Sequence, residues 1–295
     1  LRRDNQIRSI HSSLAIENNS LSLGQVTDII NGKRVLGALN EIREVKNAFE
    51  AYNLLLTFNP FSIEDMLKAH KVLMADLTKE AGLFRSGRVG VFAGERLVHM
   101  APLARVVPKL MSNLIHWTKT TDLHPLIKSC VFHYEFEFIH PFADGNGRIG
   151  LMWQTLLLSR WKPVFAWLPV ETLIRERQQE YYDVLAVADK AANSTAFVEF
   201  MLRAIRDALS ELLRTEQVRE QVTEQVERLL TALGSETLSA KELLERLGLK
   251  HRPTFSNNYL RPALELGLIE MTVPDKPNSS KQRYRAVTGH EIILP

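Results

Sequence analysis

The chain has 295 residues, of which 45% are hydrophobic and 24% charged, with 37 Lys and Arg against 34 Asp and Glu. This is globular composition for about two domains, and it excludes a disordered or fibrous chain. The single cysteine, Cys130, excludes an internal disulfide and a cysteine-based zinc site, and a net charge of +3 points neither toward nor away from nucleic acid.

In chain order, helical periodicity dominates. Leu36, Leu39, Ile42, Val45, Phe49 and Tyr52 recur at steps of three or four and predict one long helix over 35–56. Asn59 and Pro60 stop it. Ser62 then reads as the N-cap of a helix through Met66, Leu67, His70 and Leu73, with Asp65 at the capping-box position. Residues 84–100 break the pattern: Val89 and Val91 alternate, 93–95 make a turn, and Leu97 and His99 follow. This predicts a β-hairpin. Helices return over 103–119, 125–138, 150–161, 174–191 and 196–233. The longest uncharged run, 51–63, is too short and too broken to span a bilayer. No signal-peptide pattern is visible, so a cytoplasmic protein without membrane contact is expected.

From 202 to 233 the pattern turns polar, as in a connecting helix. Beyond Gly234 a short helix (239–247, Ser239 as cap), a second helix (253–266), a strand (268–273) and another strand (282–287) make a helix-turn-helix with a two-stranded wing. The predicted segments are an N-terminal piece (1–33), a helical domain (34–213), a connecting helix (214–233) and a winged helix (234–295).

The chemistry concentrates in 140–148, His-Pro-Phe-Ala-Asp-Gly-Asn-Gly-Arg. Asp-Gly and Asn-Gly are hairpin turn signals, but the flanks are long and helical rather than short alternating strands. An anion site fits better. Two glycines around Asn146 let backbone N–H groups converge into a nest that opens into a helix N-terminus. Arg148, in the first turn, carries a planar fork of donors suited to phosphate oxygens. Asp144 is the single carboxylate expected of a Mg²⁺ that keeps its waters and shares phosphate oxygens. His140, at the other end, is a base at neutral pH, with nearby cations disfavouring its imidazolium. Together these residues imply phosphate-bond chemistry on a nucleotide.

These residues resemble the signature of the Fic family, HxFx(D/E)GNGRxxR. His140, Phe142, Asp144, Gly145, Asn146, Gly147 and Arg148 match; the final arginine would fall at 151, where this chain has Leu151. The resemblance covers about 1–213. It implies a mainly α protein, a Fic helical core with a β-hairpin flap, that transfers AMP from ATP to a Ser, Thr or Tyr hydroxyl of a target protein. His140 would be the base and Asp144 the Mg²⁺ ligand. Gly145, Asn146, Gly147 and Arg148 would hold the nucleotide, and Phe142 would anchor the loop. Ser13 to Asn18 resembles the family's inhibitory motif, (S/T)xxxE(G/N), which implies an autoinhibitory Glu17 with Ser13 as its partner position. The hairpin stands where the family holds a target segment by strand pairing.

Tyr181 and Tyr182 could wall an adenine pocket, although tyrosines at helical spacing are more often core. His70, His116, His124 and His133 read as structural or surface histidines. Lys250, His251, Arg252, Arg261, Lys276, Lys281, Arg283 and Arg285 make the winged helix a DNA-binding candidate. Residues 236–295 hold nine basic and seven acidic side chains, a balance that suits a protein partner equally well. A homodimer is also open. Two alternatives accompany adenylyl transfer: removal of AMP from a modified protein at the same site, and a nucleotide-sensing transcription regulator that would need no base at His140.

Overall fold

The computed structural model describes residues 2–93, 96–277, 279 and 281–287. The chain divides into two compact units, Leu1–Ser210 and Glu211–Pro295.

The first unit is helical. Its elements are α1 (Arg2–Ile16), α2 (Leu23–Ile30), α3 (Leu39–Leu54), α4 (Ile63–Leu73), the strands β1 (Gly90–Ala93) and β2 (Arg96–Met100), α5 (Val107–Thr120), α6 (Pro125–Ile139), α7 (Asn146–Trp161), α8 (Val170–Glu176), α9 (Gln178–Ala191) and the part of α10 (Thr195–Leu233) up to Ser210, the rest of α10 belonging to the second unit. The α6–α7 pair lies at the centre. α7 buries Ile149, Leu151, Met152, Trp153, Leu156, Leu157 and Leu158 around its whole circumference. A helix apolar on every side has to be wrapped by others, and α6, α1, α4 and the 3₁₀ turns Leu55–Thr57 and Pro163–Trp167 do so, while α5 packs on α6. Phe132 and Phe136 of α6 and Val45, Ala48 and Tyr52 of α3 complete this core.

Several boundaries depart from the periodicity. The helix expected over 35–56 begins at Leu39, and its last turn, Leu55–Thr57, tightens to 3₁₀. α2 was not expected, although Ser22 and Gln25 form a reciprocal capping box at its start. Ser62 caps α4 as expected, but the Asp65 carboxylate accepts from the Asn59 amide rather than completing a box with Ser62. The 174–191 helix is two helices, α8 and α9, which meet at Arg177. The hairpin is present, antiparallel, with Gly90 opposite Met100 and an irregularity between Val91 and Phe92. Its expected turn residues Gly94 and Glu95 lie outside the described residues.

The second unit is a winged helix. Strand β3 (Leu238–Ser239) leads into α11 (Ala240–Arg246), with Ser239 and Glu242 forming a capping box. The second helix is α12 (Arg252–Phe255) and α13 (Arg261–Glu265) joined by a π turn, Ser256–Leu260. Strands β4 (Ile269–Met271) and β5 (Arg283–Ala286) follow. The sheet order is β3-β5-β4, one strand more than the expected wing. Leu229, Leu233, Leu243, Phe255, Tyr259, Ala263, Ile269 and Tyr284 form a core of its own.

Candidate active site

Helix α6 ends at His140, whose backbone is left-handed (φ +48°, ψ +62°). This conformation is unfavourable for any residue with a Cβ, so its surroundings have to hold it. Arg85 does: its Nε donates to the His140 carbonyl at 2.7 Å, and its Nη2 donates to Pro102 at 2.6 Å and Ile139 at 3.3 Å. The Arg85 amide donates to the Pro141 carbonyl at 3.0 Å, and Nη1 to Gly87 at 2.8 Å. One buried guanidinium thus ties the base of the hairpin to the start of the loop.

The loop ends where Gly145, at φ +80°, turns the chain into α7. Asn146 closes it on itself. Its Oδ1 accepts from the Phe142 amide and its Nδ2 donates to the Phe142 carbonyl, both at 2.9 Å. The Asn146 side chain therefore shapes the loop, and with the Gly145 amide donating to Asp144 Oδ1 at 2.6 Å, the backbone N–H groups of 146 and 147 are left for an anion. Phe142 is fully buried and stacks on the His70 ring at 3.7 Å between centroids. The Gly82 amide donates to His70 Nδ1 at 2.8 Å, so the ring hydrogen belongs on Nε2, which faces the Asp144 carbonyl at 3.0 Å. Burial keeps this ring neutral, with its pKa pushed down to about 4.

A cavity of about 200 Å³ opens on the loop. His140, Asp144, Gly145, Asn146 and Gly147 line it, together with Glu17, Glu137, Leu151, Tyr181 and Tyr182. Gly90 of β1 reaches its rim. Both tyrosines weighed as adenine-pocket walls thus belong to it. Tyr181 is also locked into the core by a 2.9 Å hydrogen bond with His133 Nε2.

Glu17 arrives at the cavity because α1 stops one residue earlier. Asn18 takes the left-handed conformation (φ +70°), and the Asn19 amide caps the Leu14 carbonyl. This is the physical use of a Gly or Asn after the glutamate. The Glu17 carboxylate lies against Gly147, and any Cβ at 147 would overlap its Oε1. Burial raises the Glu17 pKa, while Arg148 opposes the shift. Ser13 is buried, and its hydroxyl donates to the Ile10 carbonyl at 3.0 Å, within α1 itself.

Arg148 is almost fully buried. It pairs with Asp144 Oδ1 at 3.0 Å and Glu44 Oε1 at 3.5 Å, and its Nε and Nη1 make no hydrogen bond among the described residues. Leu151, not Arg148, lines the cavity. Three residues turn a helix through about 300°, so positions 148 and 151 point some 60° apart. The cationic cluster expected beside His140 is also missing among the described residues. The Glu137 carboxyl stands 3.8 Å from His140 Nδ1.

Sequence reasoning passed over three residues here. His70 was read as structural or surface, with no link to the loop it supports. Arg85 offered only an isolated arginine at a hairpin's edge. Glu137 had the clearest signal, a carboxylate on α6 among Phe132, Phe136 and Ile139.

Among the described residues no group of three or more His, Cys, Asp or Glu could hold a metal. Asp144 nevertheless fits Mg²⁺ held chiefly by phosphates and water. Its side chain is 57% exposed, and both its hydrogen bonds, from the Gly145 amide and from Arg148, use Oδ1, which leaves Oδ2 available.

The Fic/DOC family model matches residues 60–158, and the model of the Filamentation induced by cAMP protein Fic-like, C-terminal domain, matches residues 224–287. A Fic family protein from Desulfovibrio desulfuricans G20, known from a crystal structure, is 57% identical. The match covers 99% of this chain and 89% of that one, with a TM-score of 0.74. The protein adenylyltransferase Fic of Culex quinquefasciatus is 30% identical over 206 residues, 66% of this chain and 39% of the relative. The protein adenylyltransferase fic-1 of Caenorhabditis elegans is 29% identical over 201 residues, 63% and 37% of the two chains. The chain thus spans about two fifths of the length of these curated relatives. With the signature loop folded between α6 and α7, and more than half its residues shared with a Fic family protein along nearly the whole length, this chain belongs to the Fic family.

Proposed function

We propose that the chain is a protein adenylyltransferase, transferring AMP from ATP to a Ser, Thr or Tyr hydroxyl of a target protein, with Glu17 as its brake. The observation that carries this reading is the shared cavity. A histidine imidazole, a glycine nest at a helix N-terminus and a half-exposed carboxylate all face one space.

His140 takes the proton from the attacking hydroxyl. The backbone N–H groups of 146 and 147 hold donor phosphate oxygens, and the α7 dipole favours their charge. Arg148, buried behind the lining and paired with Glu44 and Asp144, holds the Asp144 carboxylate in place. Asp144 would hold Mg²⁺, which when bound neutralises phosphate charge. Tyr181, Tyr182 and Leu185 form the wall suited to a base. The hairpin offers strand edges to a target segment. Glu17 covers the nest at Gly147 and so obstructs phosphates placed there. A second reading, removal of AMP from a modified protein, draws on the same carboxylate, which at that position could orient a water.

The test is incubation of the chain with ATP labelled at the α- or the γ-phosphate, alone and with lysate. Transfer of the α label only, lost with EDTA and reduced about 10²–10⁴-fold in His140→Ala, is expected. Transfer of the γ label would replace adenylyl transfer with phosphorylation. Wild-type rates in His140→Ala would remove the base.

A further inference from the structure

Glu137 lies one helical turn before His140 on α6 and is buried. Its Oε2 stands 3.8 Å from His140 Nδ1. Its Oε1 packs against Gly150, where any Cβ would come within 2.5 Å, and makes no hydrogen bond among the described residues. A buried carboxyl with an unfilled oxygen is rare and calls for a reason. Among the described residues, the groups around it that titrate are Glu17 at the end of α1, Tyr181 and Tyr182 of α9, and His133 and His140 on either side of it in sequence. From helix α7, Gly150 packs against it and carries no charge. Burial first, and the Glu17 charge second, push the Glu137 pKa up to about 8.

We propose that Glu137 is the positioning residue of the His140 base, its carboxyl deciding which ring nitrogen carries the hydrogen. This rests on the reading of His140 as the base. His140 Nδ1 is buried, so the ring edge that meets the cavity carries Nε2. A protonated Glu137 donates to Nδ1, which puts the ring hydrogen on Nε2 and leaves no lone pair facing the cavity. An ionised Glu137 accepts from Nδ1–H and turns the Nε2 lone pair to the cavity, since the bond at one nitrogen sets the state of the other. Nε2 then takes the proton of the target hydroxyl. The hydroxyl oxygen bonds to the α-phosphorus, the bond from that phosphorus to the bridging oxygen breaks, and diphosphate leaves with the electron pair. The imidazolium is balanced by the Glu137 carboxylate until its proton passes to solvent. A separation of 3.8 Å suits a contact that tightens once substrate is bound.

The experiment uses the full chain with ¹⁵N-labelled histidine, titrated from pH 6.5 to 9 without nucleotide. The His140 ring should move from the Nε2–H to the Nδ1–H tautomer with a midpoint near 8, and Glu137→Gln, which cannot ionise, should show one tautomer throughout. In parallel, AMP transfer by the wild type should rise roughly tenfold between pH 7 and 9, and that rise should be absent in Glu137→Gln. One tautomer throughout in the wild type, or the same change in Glu137→Gln, overturns the proposal. The spectra decide even if no AMP is transferred, and the wild-type spectra decide even if the variant fails to fold.

Discussion

Leu151 gives the cavity an apolar wall where the family signature has an arginine. No Lys or Arg lines the cavity among the described residues, while Glu17, Glu137 and Asp144 do. A charge-assisted contact to phosphate is worth about 1.5–3 kcal/mol, or roughly 10- to 150-fold in affinity. Leu151→Arg should therefore tighten ATP binding by about that factor in titration calorimetry, and give Glu17 an ionic partner. Equal affinity in wild type and variant would mean that the buried guanidinium of Arg148 already supplies the contact. His70 supports a second residue-scale prediction. Its folded pKa is depressed, so the stability it contributes is present above about 6.5 and is lost as the pH falls toward 4. Protonation would also take Nδ1 from the Gly82 amide. That amide should lose hydrogen-exchange protection below pH 5, after correction for intrinsic rates, and unchanged protection would contradict the assignment. The site's chemical residues were legible because glycine, arginine and carboxylate in fixed order have few other uses. His70 and Arg85 were not, because they act on backbone carbonyls 55 to 74 residues away, and no local pattern encodes such a pairing.

At the scale of elements, α1 is built into the core rather than laid on it. Ile7, Ile10, Leu14 and Ile16 are buried, and Ser9 donates to Glu171 Oε2 at 2.8 Å. Tyr52 and Thr155 donate to the other oxygen of the same buried carboxylate at 3.2 and 3.3 Å. Gln178 and Asn5 fasten the two ends of the helix to backbone carbonyls of Ile16 and Trp167. Release of Glu17 by unwinding α1 would break this network, so the proposed brake would be relieved by movement of the Glu17 side chain. Glu171→Ala leaves three hydroxyls without their partner and should cost on the order of 2–4 kcal/mol in denaturant unfolding. A change under about 0.5 kcal/mol would mean the network is incidental. Periodicity found α4 because its apolar stripe is regular, and α6 and α10 because they are long runs with no Gly or Pro after the first turn. It placed the start of α7 four residues late, at 150 rather than Asn146, because that first turn is built from loop residues whose helical role depends on Gly145. It merged α8 with α9 because one residue, Arg177, separates them.

At the scale of the whole molecule, two of the winged helix's candidate phosphate-contacting arginines are already paired with carboxylates, and residues 236–295 carry a net charge of only +2 from nine basic and seven acidic side chains. Arg283 pairs with Glu242 at 3.2 Å, Arg285 with Glu270 at 2.5 Å and Arg246 with Glu236 at 2.8 Å. Phosphate contacts govern the affinity and salt dependence of DNA binding, and cations already paired contribute less to them. The full chain should therefore show weak duplex binding with a shallow salt slope in fluorescence anisotropy. Tight binding that collapses with added salt would instead favour a DNA-reading module. The hairpin and the nest open on the same cavity, and the chemistry assigned to them is adenylyl transfer restrained by Glu17. The most direct measurement is the intact mass of the chain after incubation with ATP and Mg²⁺, for the wild type, Glu17→Gly and Glu17→Gly with His140→Ala. One or more added AMP groups on Glu17→Gly, few on the wild type and none on the double variant are expected. Equal modification of the wild type and Glu17→Gly would remove the brake, and AMP on the His140→Ala double variant, or on no form with any protein supplied as target, would contradict adenylyl transfer from this site.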